Sequence, residues 1–291
     1  MLAVVLPKGS LEKQVLDLFR SADLTVVRGS ERDYHARIDD PRIDRVRFLR
    51  PQEIPTYVEQ GIFDLGISGR DWVTETGADV VSLGEIGGGR AGEAVVRVVL
   101  AVPKESPWES AADLPNGVRI STEMPETTRR YLEEHGVKAK VFTSHGATEA
   151  KIPDIVDAIV DLTETGSSLR KAGLKVIATI LTSRTELLAN REAYEDPIKR
   201  AAMDDVVLLL QGALRARGHV LLKLNVDSDK LDSVLAVLPA MSSPTVMHLA
   251  SGDARALETV VPKLGVNELI PSLRSAGARD ILELPISKIV E

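Results

Sequence analysis

Cysteine is absent from the 291 residues, which excludes disulfides, thiolate metal sites and cysteine nucleophiles. Only five histidines occur, and none falls in an H-x-x-H-type cluster. Aromatic residues make up 3% of the chain, so cores drawn from its 44% hydrophobic residues must be largely aliphatic. No basic block is present either: 36 basic against 43 acidic residues leave a net charge of −7. That balance argues against nucleic acid as the main partner, while a local basic cleft for a nucleotide remains open. No apolar run approaches a membrane span; the first, Leu2 to Leu6, has strand length, stops at Pro7-Lys8 and is too short for a signal peptide. A soluble, cytoplasmic protein without membrane partners is expected. The length allows about two domains at ~150 residues each, or three small ones.

The most informative stretch is Asp161-Leu162-Thr163-Glu164-Thr165-Gly166-Ser167-Ser168-Leu169, which follows the apolar run Asp157 to Val160. A buried strand stops here, the chain turns through hydroxyls and glycine, and a helix starts. Such a turn aims backbone N–H groups, a partial positive charge and hydroxyl donors at one point, which suits a phosphate. Gly166 allows close approach of the backbone. Asp161 at the strand end suits ribose hydroxyls or Mg²⁺. A plain serine or threonine helix cap explains the same residues equally well on the loop alone.

Two earlier turns have the same character. Leu2 to Leu6 is a strand, Pro7-Lys8-Gly9-Ser10 a turn, and Leu11 to Ala22 a helix. A strand over Leu65 to Ile67 runs into Ser68-Gly69 and a helix beginning near Arg70, where paired small residues imply close approach of something flat or anionic. Taken singly, a capped helix and a tight turn account for both. Strands at 46–49 and 80–85 complete a first βα unit. The glycine cluster Gly87 to Gly92 marks a boundary, and a second βα unit follows through 182. The alternation predicts parallel sheets covered on both faces. A long helix is expected over 195–217, and the order strand–helix–strand–strand–helix–strand over 219–285 predicts a ferredoxin-like sheet as a separate domain.

Several stretches together resemble the ATP phosphoribosyltransferases in their long form, with a C-terminal regulatory domain. They are Leu6-Pro7-Lys8-Gly9-Ser10-Leu11, Leu49-Arg50-Pro51 with Ile54 and Tyr57-Val58, Asp64 to Asp71, Pro125 with Arg129-Arg130-Tyr131, Asp157 to Leu169, and Ser243-Pro244-Thr245. They run in family order along the whole chain. The sequence departs from the family pattern at Ser167-Ser168 and at Asp154, and neither Glu149 nor the link at 87–92 receives a role.

The resemblance implies an α/β fold: a two-lobed, periplasmic-binding-protein-like catalytic part and a ferredoxin-like, ACT-like regulatory domain. Lobe I would comprise 1–92 with about 185–217, lobe II 93–184, and the regulatory domain 218–291. The implied reaction moves 5-phosphoribosyl from phosphoribosyl pyrophosphate to N1 of ATP, releasing pyrophosphate, with Mg²⁺, as the first step of histidine biosynthesis. Thr163, Thr165, Gly166, Ser167 and Ser168 would hold the sugar phosphate, with Asp161 at the ribose and metal. Lys8, Gly9, Gly69, Arg70, Asp71 and Arg129 would take ATP from the opposing wall, and Lys8, Arg50 and Asp161 would serve catalysis. Histidine would inhibit by binding near Asn225 and Thr245 in a homo-oligomer, from dimer to hexamer. A two-lobed anion or amino-acid receptor with a sensor domain is the rival reading, and an amino-acid-regulated enzyme of the prephenate dehydratase kind is a third.

Overall fold

β1 (Leu2–Pro7) is buried along its whole length, because it lies inside a sheet with neighbours on both sides. An unbroken apolar run is what a strand in that position requires. It is followed by α1 (Glu12–Ser21), β2 (Val26–Val27), β3 (His35–Ile38), β4 (Ile43–Leu49), α2 (Ile54–Glu59), β5 (Leu65–Gly69), α3 (Arg70–Thr76) and β6 (Val80–Glu85). Next come β7 (Val96–Pro103), β8 (Val118–Thr122), α4 (Pro125–Glu134), β9 (Ala139–Thr143), β10 (Ala158–Thr163), α5 (Ser167–Lys171), β11 (Leu174–Ser183) and β12 (Thr185–Asn190). The remainder is α6 (Arg191–Glu195), α7 (Pro197–Ala216), β13 (His219–Asp227), α8 (Leu231–Val237), β14 (Thr245–His248), β15 (Ala254–Pro262), α9 (Val266–Ser275) and β16 (Ala278–Pro285). The computed structural model describes residues 1–87, 95–239, 243–250 and 252–290. Most of the expected glycine link, Gly88 to Gly92, and the 92/93 boundary lie outside the described residues.

The chain forms two units, Met1–Asp17 with Leu24–Val207, and Leu18–Asp23 with Leu208–Glu291. The first contains two sheets, and each is the floor of a lobe. One has the order β2-β3-β4-β1-β5-β12-β6, the other β11-β7-β10-β8-β9. The parallel expectation holds for β4-β1-β5 and for β10-β8-β9. It fails elsewhere: β12 is antiparallel to both β5 and β6, and β7 to both β10 and β11. For β12 the reason is the crossover at Ser183-Arg184. β11 leaves the five-stranded sheet and the chain re-enters the seven-stranded one directly as β12, with no helix to reverse its direction. The β2–β3 ribbon, antiparallel and added at an edge, has no counterpart in the sequence reading.

Gly66 shows how tightly the first lobe is packed. A Cβ there would lie 2.7 Å from Val58 Cγ2 and 2.8 Å from Ile54 Cγ2, so glycine lets α2 sit directly on β5. The expected helix over 195–217 is interrupted at Asp196-Pro197. Proline disfavours helical backbone at the preceding residue, and Asp196 is extended (φ −69°, ψ 117°) with Oδ1 accepting the Ile198 N–H at 2.8 Å. An aspartate cap followed by proline at the first helical position starts α7 afresh.

In the second unit β14-β15-β13-β16 form an antiparallel sheet in the βαββαβ order. α8 and α9 cover one face through Val234, Val266 and Leu273 against Leu222, Leu224, Val226 and Leu257. The pattern of β13, alternately buried and half-buried, follows from that one-sided cover.

Candidate active site

A cleft of about 400 Å³ lies between the two lobes of the first unit. Ser10 and Leu11, Pro51, and Gly69 with Asp71 reach it from the first lobe, and Leu162, Thr163 and Glu164 from the second. Ser183, Arg184 and Thr185 reach it from the crossover. The turns after β1, β4, β5 and β10 therefore converge, as ligand-binding turns at the carboxyl ends of strands do.

In the turn after β1, Gly9 has φ +104°, a conformation that favours glycine. Its N–H is held by Glu12 Oε2 at 3.3 Å, and Glu12 Oε1 pairs with Arg28 Nη2 at 2.6 Å. The Lys8 ammonium donates to the Glu31 carbonyl at 3.0 Å and stands 4.5 Å from the Tyr34 ring centroid. Arg50 is exposed, with Nη1 3.7 Å from where a Cβ on Gly9 would be. Lys8 and Arg50 thus flank one turn from two strands. Arg28 and Glu12, which brace it, escaped the sequence reading because their pairing depends on the ribbon.

At the turn after β5 Gly69 makes room for a carboxyl. The protein's own Asp71 carboxyl approaches it: an added Cβ would lie 2.0 Å from Asp71 Oδ1 and 3.2 Å from Ser183 Oγ. Ser68 is fully buried, its hydroxyl donating to the Pro51 carbonyl at 2.7 Å. The Ser183 hydroxyl donates to Asp71 Oδ1 and accepts the Asp71 N–H at 3.0 Å, and Arg70 N–H donates to the Arg184 carbonyl at 2.9 Å. Burial pushes the Asp71 carboxyl above the usual carboxylate range, against its hydrogen bond from Ser183. Arg70 Nη1 lies 3.6 Å from Glu186 Oε2.

In the turn after β10, Gly166 is left-handed at φ +71° and precedes α5. Thr163 Oγ1 accepts the Gly166 N–H at 2.8 Å, Thr165 Oγ1 accepts the Ser167 N–H at 3.3 Å, and Arg170 Nη1 donates to the Thr165 carbonyl at 2.9 Å. Thr165, Ser167 and Ser168 are exposed. Arg170 adds a cation that the sequence reading passed over, although its position one helical turn after Gly166 could have indicated it.

Asp161 is not at the strand tip. It lies inside β10, opposite Val99, with two more strand residues after it. Burial raises its pKa to about 6, partly offset by the Leu162 N–H at 2.8 Å, and the negative charges of Glu149 and Glu123 push in the same direction as burial. Glu149 sits in a short 3-10 turn, Thr148–Lys151, entered through left-handed Ala147 (φ 48°). Lys151 Nζ donates to the buried Ser144 hydroxyl and to Ser121 Oγ at 3.3 Å, and Ser144 Oγ lies 2.8 Å from Thr148 Oγ1. This network fixes the turn that brings Glu149 to bear on Asp161.

Arg129 is a second correction. It lies on α4, which follows β8 of the second lobe, so it shares a lobe with the Gly166 turn rather than facing it, and it pairs with Glu126. In the second unit, Asn225 lies inside β13, where its amide donates to Asp280 Oδ2 at 2.9 Å, and Thr245 begins β14. Asn225 is in register with Ala256 and Thr245 with Glu258 on the same central neighbour, β15.

The model of the ATP phosphoribosyltransferase family matches residues 50–212, and that of its C-terminal domain (HisG, C-terminal domain) matches 216–288. An ATP phosphoribosyltransferase of Pelotomaculum thermopropionicum is 47% identical over 287 residues, covering 98% of each chain. One of Solibacter usitatus is 47% identical over 290 residues, covering 100% of this chain and 99% of the relative. Among solved structures, an ATP phosphoribosyl transferase (HisG:HisZ) complex from Thermotoga maritima aligns with TM-score 0.63 at 28% identity, covering 74% of this chain and 98% of that one.

Proposed function

The chain belongs to the ATP phosphoribosyltransferase family, and from that membership we infer that it transfers 5-phosphoribosyl from phosphoribosyl pyrophosphate to N1 of ATP, with release of pyrophosphate, in histidine biosynthesis. The observation that carries the residue-level reading is the convergence of four strand-end turns on one cleft. N1 of adenine is itself the nucleophile, so the site needs neither a serine nor a cysteine. It needs two polyanions held in line and charge stabilised on the leaving pyrophosphate.

Thr165, Gly166, Ser167 and Ser168 hold the 5-phosphate, aided by Arg170. The N–H groups of Gly166 and Ser167, bonded to threonine hydroxyls here, can turn to phosphate oxygens of greater charge. Lys8, Gly9 and Arg50 take pyrophosphate or ATP oxygens, and Arg70 and Asp71 flank the purine nucleotide at α3. Arg129 reaches ATP from the second lobe. Closure of the lobes excludes water from the reactive sugar.

The residues fit Mg²⁺ brought in on the substrate. Among the described residues no cluster of three or more metal-ligating side chains forms a complete cage. A cation held by one or two carboxylates plus phosphate oxygens needs none, and Asp161 with Glu149 nearby supplies them. The metal, when bound, neutralises charge on the pyrophosphate. Asp161 must be ionised for this role or for binding ribose hydroxyls, so kcat/KM for phosphoribosyl pyrophosphate rises with pH through about 6. Glu149→Gln removes a like charge and moves that midpoint downward; a pH profile of the two proteins checks it, and an unmoved midpoint counts against the assignment. For stability the sign is opposite. A raised carboxyl pKa gives a contribution fully present below the unfolded value of 3.8 and lost as the pH rises through about 6.

The C-terminal unit senses histidine near Asn225 and Thr245, in a cytoplasmic homo-oligomer. Among the described residues no helix is long and apolar enough to cross a membrane. Asn225→Ala is expected to raise the histidine concentration for half-inhibition roughly tenfold, about one lost hydrogen bond to a charged group, with uninhibited turnover unchanged. The test of the whole reading is to mix the protein with ATP, phosphoribosyl pyrophosphate and Mg²⁺ and follow the absorbance of the product. A binder without catalysis gives no signal.

A further inference from the structure

α3 belongs to the first lobe by sequence and sheet, yet its side chains are divided between the two lobes. Trp72 is buried in the core formed by Val98, Leu100, Ile120 and Val160 of the second lobe. Val73, the next residue, is buried with Ala3, Val5 and Leu188 of the first. At its far end Glu75 reaches α4. Its Oε1 accepts the Glu126 N–H at 3.0 Å and its Oε2 the Thr127 N–H at 2.8 Å. Arg130 donates to the Thr74 carbonyl.

The second lobe cannot make this cap itself. Met124 precedes α4 and its side chain caps nothing; Pro125, the first helical residue, has no N–H; the Thr128 N–H is taken by the Met124 carbonyl at 3.1 Å. The two donors left over in that first turn are those Glu75 accepts. A carboxylate is also the charge a helix N-terminus favours. Seven residues at 1.5 Å each make α3 a strut of roughly 10 Å. It runs from the nucleotide turn at Gly69-Arg70-Asp71 to the first turn of a helix in the opposite lobe.

We propose that Glu75 is a positioning residue for the transfer reaction: by capping α4 from the other lobe it holds the two substrate-bearing walls at working separation. The inference rests on the activity assigned above. Moving α4 away from α3 strips two N–H groups of their acceptor, so the lobes hinge about this pair and the cleft widens elsewhere.

Full-length wild type, Glu75→Ala and Glu75→Gln are compared by amide hydrogen exchange, by calorimetric titration with ATP and with phosphoribosyl pyrophosphate, and by steady-state kinetics. In Glu75→Ala the Glu126 and Thr127 amides exchange roughly tenfold faster. Both dissociation constants weaken, each by about fivefold or more, while kcat stays near wild type. Glu75→Gln, with one acceptor oxygen, falls between. Faster exchange with either affinity unchanged reduces Glu75 to a local cap and overturns the proposal, as does unchanged exchange. Wild type that binds neither ligand instead overturns the assigned activity and takes this inference with it, a pattern distinct from failure of Glu75 alone.

Discussion

Glutamate in place of Gly166 lowers kcat/KM by on the order of 10³-fold or more while leaving the fold intact. Two effects contribute, and a companion variant separates them. Gly166 has φ +71°, where any L side chain adds strain of about 1–2 kcal/mol. An added Cβ would lie 3.0 Å from Arg170 Nη1, which can swing aside because it ends a flexible side chain. Gly166→Gln carries the same strain and bulk without the charge. It is expected to cost about 10- to 100-fold in kcat/KM. The further loss in Gly166→Glu reports a carboxylate where the 5-phosphate should be. Steady-state kinetics with phosphoribosyl pyrophosphate varied, together with thermal unfolding of both proteins, checks this. Equal activities for the two variants, or full activity in either, would remove the phosphate from this turn.

Gly69→Ala is the second large effect, and its origin is steric. The backbone at Gly69 is extended, φ −77° and ψ 148°, so alanine meets no conformational penalty there. The new methyl would instead fall 2.0 Å from Asp71 Oδ1. Asp71 is a short, buried side chain and cannot yield without losing the Ser183 hydroxyl. Overpacking and a stranded carboxyl together cost about 3 kcal/mol. Because the same contacts fix the crossover beside the nucleotide turn, kcat/KM falls on the order of 10²-fold. In an Asp71→Ala background only the 3.2 Å approach to Ser183 Oγ is left, and Gly69→Ala should add about 1 kcal/mol or less. Denaturant unfolding of the two single variants and the double variant closes the cycle. Additive losses would place the cause somewhere other than this contact.

The turns were legible because each is written in neighbouring residues. Pro7-Lys8-Gly9-Ser10 and Thr165-Gly166-Ser167-Ser168 carry their glycine, their hydroxyls and the adjoining apolar strand within one short window. The register of helix starts followed, as did the βαββαβ order of the second unit. The strand directions did not. Apolar runs such as Val96–Pro103 and Leu174–Ser183 read alike whether their neighbour is parallel or antiparallel, and the alternation of strands with helices misassigned them. Asp161 looked like a strand tip because the apolar run ends at Val160, whereas β10 continues through Leu162 and Thr163.

By itself, then, the sequence determined the family and which local turns could bind anions, since these depend on motifs each written in residues close together along the chain. The tertiary structure alone decided partners: Asp71 against Ser183, Arg129 in the same lobe as the phosphate turn, Glu149 against Asp161, Glu75 on α4. Each joins residues between 12 and 112 positions apart, or turns on which sheet a helix follows. Hydrogen bonds, desolvation and like-charge repulsion act over a few ångströms of space, and separation along the chain says little about that distance.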